Sequence, residues 1–97
     1  MSNFHLHVVV KIKVEHSAAA EAQGILSTLF YTKLALVTFD ESDFSLGSHK
    51  WFDKTELSYI FKGEVSEDNS IRACLDFKAY IMDNVKRLLP AAEIEVR

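Results

Sequence analysis

Phe4-His5-Leu6-His7-Val8-Val9-Val10-Lys11-Ile12-Lys13-Val14 places Phe4, Leu6, Val8, Val10, Ile12 and Val14 on one side of an extended chain. His5, His7, Val9, Lys11 and Lys13 fall on the other. Side chains alternate along a strand with a period of two, so six successive apolar positions on one face mark a half-buried strand of a sheet. That sheet needs apolar cover on one side only, and the remaining chain supplies it in helices.

After this strand, Ser17 stands where a helix cap is favoured, and Ala18 to Phe30 has helical spacing. Ala18, Ala22, Ile25, Leu26 and Leu29 share a face, while Glu21, Gln23 and Thr28 do not. Gly24 weakens such a helix by roughly 1 kcal/mol relative to Ala, and close packing on the sheet would explain it. Leu34 to Phe39 reads as a second strand, and Asp40 to Asp53 as a long polar connection. Leu57, Tyr59, Phe61 and Val65 alternate with Ser58, Lys62 and Glu64 as a third strand.

A second helix is expected near residues 67–89. Ser66 can cap it, and Glu67 and Asp68 complement its dipole. Ile71, Cys74, Phe77, Ile81, Val85 and Leu88 form its apolar stripe, and Pro90 stops it. Ala92, Ile94 and Val96 alternate with Glu93, Glu95 and Arg97 as a last strand. The order βαββαβ predicts an α+β ferredoxin-like sandwich over a single domain, 1–97: a four-stranded antiparallel sheet with two helices on one face. In that topology the last strand runs antiparallel beside the first, which brings Glu93 and Glu95 opposite Lys11 and Lys13. Opposite charges across strands contribute roughly 0.2–1 kcal/mol per pair.

Composition narrows the function. The chain has 97 residues, 48% apolar and 26% charged, so a packed domain is expected rather than disorder. Cys74 is the only cysteine, which excludes an internal disulfide and a thiolate metal cage and suits a reducing compartment. Met1-Ser2-Asn3 lacks the basic and apolar regions of a signal peptide, and no apolar run is long enough to span a membrane. A cytoplasmic location, without membrane contact, is the expectation. Net charge is −3, from 14 acids and 11 bases. Affinity for phosphates comes from Lys and Arg, so a basic protein surface suits this chain better than nucleic acid.

Catalytic and metal signals are thin. His5-x-His7 puts two imidazoles on one strand face but has no evident third ligand. His49 lacks an evident oriented partner, and Cys74 falls on the apolar stripe of the second helix. No nucleophile elbow, phosphate loop or zinc spacing occurs, so no enzyme activity, cofactor or metal is expected. RNA-recognition modules share the topology but stack bases on outward aromatics of their central strands. Here Phe4, Tyr59 and Phe61 share the inward face.

The remaining signal is acidic. Asp40, Glu41 and Asp43 open the long connection, Asp53 and Glu56 close it, and Glu64, Glu67 and Asp68 flank the next turn. Charges spaced on a rigid scaffold can imitate nucleic-acid phosphates and occupy a basic groove. Phe44, Trp51 and Phe52 could anchor such a contact, because aromatics concentrate at binding hot spots. A compact acidic domain carrying Asp40-Glu41-Ser42-Asp43, Asp53, Glu56, Glu64 and Glu67-Asp68 resembles the phage-encoded anti-CRISPR proteins. Some of these resemble DNA and block target binding by a type I surveillance complex. The resemblance implies a monomeric inhibitor in the cytoplasm of a bacterial host, with subunits of that complex as partners. A second expectation comes from the dimeric α+β-barrel proteins, including cofactor-independent monooxygenases and small-molecule binders, which share the strand and helix order. In that reading His5, His7, Val9 and Ile60 line a cleft between paired sheets.

Overall fold

A computed structural model describes residues 3–39, 41–51 and 55–97. The elements are β1 (Asn3–Lys13), α1 (Ala19–Tyr31), β2 (Leu36–Phe39), β3 (Ser42–Trp51), β4 (Glu56–Ser66), α2 (Ser70–Leu88) and β5 (Glu93–Val96). The strands form one antiparallel sheet in the order β2-β3-β4-β1-β5.

β1 carries the alternation as read. Val8, Val10 and Ile12 are buried, while His5, His7 and Lys13 are exposed on the opposite face. β5 lies antiparallel beside β1 with Lys11 opposite Glu95 and Lys13 opposite Glu93, the pairing expected from the charges. Both helices cover the same face of the sheet. From α1, Phe30 stacks on Tyr59 of β4 with ring centroids 3.8 Å apart. From α2, Phe77 stacks on Phe44 of β3 at 4.2 Å and meets Phe61 edge-on. Leu26, Leu34, Leu57, Ile81 and Val85 complete this core.

The expected four strands are five. The connection from Asp40 to Asp53 is mostly β3, a ten-residue strand. Phe44 and Leu46 face the core opposite Gly63 and Phe61, and Asp43 and Ser45 face outward opposite Glu64 and Lys62. A bulge between Leu46 and Ser48 then shifts the register, and this breaks the period that would have marked the strand in the sequence. β2 starts at Leu36, not Leu34. Leu34 is a buried residue of the turn after α1.

The helices fall close to their expected positions, but their details differ. Each begins as a short 3-10 turn, His16–Ala18 and Glu67–Asn69, and neither Ser17 nor Ser66 makes the expected side-chain cap. Ser66 instead donates its backbone N–H to the Ser42 hydroxyl, 3.1 Å away, tying the end of β4 to the start of β3. On α2 the buried stripe runs through Ala73, Phe77, Ile81 and Val85, with Asn84 also buried and donating to the Tyr80 carbonyl. Ile71 and Leu88, expected on that stripe, are exposed. Gly24 does not mediate close packing either, since a Cβ built there meets no atom within 4 Å. Gly63 does. A Cβ there would lie 2.8 Å from a Leu6 methyl and 3.0 Å from the Phe44 ring, so the absent side chain is what lets Phe44 lie flat over β4.

Candidate functional site

The β2–β3 turn and the β4–α2 turn meet at one end of the sheet. Pairing of Asp43 with Glu64, and the Ser66–Ser42 hydrogen bond, fix that meeting. Glu41, Asp43, Glu64, Glu67 and Asp68 are therefore gathered at a single end, and all five are exposed. Sequence order leaves open whether they form one face or two, because the hairpin joining β3 to β4 is not legible in it.

Two of these acids occupy positions that the local chemistry disfavours. Glu41 has φ 65°, a left-handed conformation that costs most side chains roughly 1–2 kcal/mol. Gly or Asn is usual in such a turn, because neither opposes positive φ as strongly. Asp43 stands directly opposite Glu64 on the outer face, and like charges so placed are destabilising. The Thr38 hydroxyl donates to Asp43 Oδ1 at 2.7 Å, and His5 follows Glu64 in the same cross-strand row. The row Thr38–Asp43–Glu64–His5 thus presents two carboxylates flanked by a hydroxyl and an imidazole.

Other residues expected at this surface lie elsewhere. Phe44 is 0% exposed, and its ring belongs to the core, where Gly63 and Phe77 receive it. It cannot serve as an interfacial anchor, because strand alternation turns it inward between Asp43 and Ser45. Glu56 starts β4 opposite Lys13, eight residues from Glu64. At about 3.3 Å per residue, it stands roughly 26 Å from the acidic end. Trp51 closes β3 opposite Leu57, also at that far end. Asp40, Phe52 and Asp53 lie outside the described residues, as does the anchoring expected of the Trp51 side chain.

Outside the acidic end, His49, Tyr59 and Cys74 are held within the fold. His49 is on β3, not in a loop, and its Nδ1 shares a hydrogen bond with the Tyr31 hydroxyl at the end of α1. Its ring also packs near Tyr59, 5.9 Å between centroids. Burial, reinforced by the neighbouring Tyr31, pushes the Tyr59 hydroxyl well above the usual tyrosine range. Cys74 is half-buried beside the core. Among the described residues, no three His, Cys, Asp or Glu side chains converge in a way that could hold a metal ion. Among them, too, no helix is long and apolar enough to cross a membrane.

This end of the sheet presents negative charge. Five exposed carboxylates, on two turns and the strand ends that lead into them, offer acceptors at fixed spacing. The sequence matches no protein-family model, and neither a curated protein nor a solved structure matches it.

Proposed function

We propose that the protein acts by binding, with the acidic end of the sheet set against a basic protein surface. The observation that carries this reading is the placing of Glu41 and Asp43. Glu41 holds a left-handed turn that costs most side chains energy, and Asp43 faces Glu64 across the strands, with the Thr38 hydroxyl as its hydrogen-bond donor. Strain and like-charge opposition of this kind are retained where a partner uses the group. The most specific version is an anti-CRISPR inhibitor in a bacterial cytoplasm. Its carboxylates occupy a DNA-binding surface of a type I surveillance complex in the way phosphates would. We further read β5, β1, β4 and β3 as a ferredoxin-like frame to which β2 adds an edge strand.

Charge across such an interface chiefly accelerates association and orients the partners, so binding weakens as salt rises. The test is competition: the protein is added to a type I surveillance complex and binding of double-stranded target DNA is followed. Loss of DNA binding at stoichiometric protein, relieved by salt, is the expected result. Unchanged DNA binding at large excess, across several such complexes, removes the anti-CRISPR version. Saturable turnover of a small molecule, with the chain sedimenting as a dimer, would favour the α+β-barrel alternative.

A further inference from the structure

Ile71 is 77% exposed and Leu75 62% exposed, on the first two turns of α2. Residues four apart on a helix stack on one face, so the pair forms a continuous aliphatic ridge. The ridge lies on the side of α2 away from the buried Ala73 and Phe77 and faces solvent. An isolated exposed aliphatic is ordinary, whereas an adjacent pair set in a charged rim marks a contact surface.

The rim is acidic. Ile71 and Leu75 line an open depression of about 400 Å³ together with Glu67, Asp68, Asp76 and Arg72. Two of these acids belong to the acidic end already described, so the aliphatic ridge and the carboxylates form one continuous surface. Carboxylates alone would attract any cation without fixing its position. Desolvated apolar contact at the centre of a polar rim is what gives an interface its affinity.

We propose that this face of α2 docks a basic amphipathic helix of a protein partner. Two apolar side chains of that helix, one turn apart, seat against Ile71 and Leu75. Lys or Arg side chains on its flanks reach Glu67, Asp68 and Asp76. A helix is the fitting occupant because its three- and four-residue ridges match the spacing of Ile71 and Leu75. The proposal rests on the reading of the acidic end as a binding surface, and it names the partner's contact chemistry.

A synthetic amphipathic helix of Leu and Lys is the probe, with a Leu and Glu helix of the same pattern as its counterpart. The Lys form should bind saturably at one per chain, with amide shifts centred on Ile71 and Leu75, and the Glu form should not bind. Replacing both residues, Ile71→Ser and Leu75→Ser, should weaken binding about tenfold or more, as loss of a hot-spot contact does. Both side chains are exposed, so unchanged circular dichroism should accompany that loss. If instead the double Ser variant binds normally and only Glu67→Lys with Asp68→Lys and Asp76→Lys abolishes binding, charge alone holds the helix. The docking proposal is then overturned while the acidic-surface reading stands. Binding indifferent to both sets of changes, or equal binding of the Glu form, overturns the proposal and the acidic-surface reading together.

Discussion

Glu41 sets a backbone cost against the proposed binding role in one residue. Its φ of 65° is easy for Gly and costly for Glu. Glu41→Gly should therefore raise unfolding stability by about 1 kcal/mol, read as a shift in denaturant midpoint at constant slope, while weakening partner binding. A substitution that stabilises the fold and impairs binding separates a functional carboxylate from a solubilising one. Phe44 shows the opposite balance. It is fully buried between Phe77 and Gly63, so Phe44→Ala should cost about 3–5 kcal/mol, a large part of a small domain's stability. Tyr59 adds a pH dependence. Its folded-state pKa is raised by burial, whereas an unfolded tyrosine ionises near 10. Below that pH both states keep the proton and Tyr59 contributes no pH dependence. Above it only the unfolded state ionises, so stability should fall as pH rises beyond about 10. Alkaline unfolding curves of Tyr59→Phe should show a shallower fall.

At the scale of elements, legibility followed periodicity. β1, β4 and β5 alternate cleanly, and α1 and α2 carry apolar residues at helical spacing, so their positions and the β1–β5 pairing were readable from residues alone. β3 was not, because Gly47 and the bulge beside it interrupt an alternation only Phe44 and Leu46 carry. Without β3, the acids at Asp43 and Glu64 can be named but not joined into one face, since that strand pairs Asp43 with Glu64 and turns Phe44 inward. On α2, Ile71 falls on the side of the helix away from Ala73 and Phe77, because the buried stripe starts at Ala73, and Leu88 in the last turn is also exposed. Ala73 is hard to place from sequence, because its small side chain gives a weak apolar signal. Gly24 is a further departure, since neither packing nor backbone geometry requires it. Gly24→Ala should stabilise α1 and the protein by about 0.5–1 kcal/mol, measurable by thermal or denaturant unfolding.

The whole molecule is elongated, with principal extents of 48 × 22 × 21 Å. The two ends of the sheet are therefore distinct surfaces. One carries Glu41, Asp43, Glu64, Glu67 and Asp68. At the other, Glu56 and Glu93 stand in register with Lys13, so acidic and basic charges are mixed. A net charge of −3 conceals this asymmetry, because composition averages over both ends. The claim that the acidic end is the binding surface is tested most directly by reversing charge at one end and then at the other. Glu41→Lys with Asp43→Lys and Glu64→Lys forms one variant, and Glu56→Lys the other. Each is assayed for blocking target-DNA binding by a type I surveillance complex that the unaltered protein inhibits. Loss of inhibition in the triple variant, with Glu56→Lys still fully inhibitory and both variants folded, is the predicted result. Inhibition that survives in the triple variant, or is lost equally in Glu56→Lys, would contradict it.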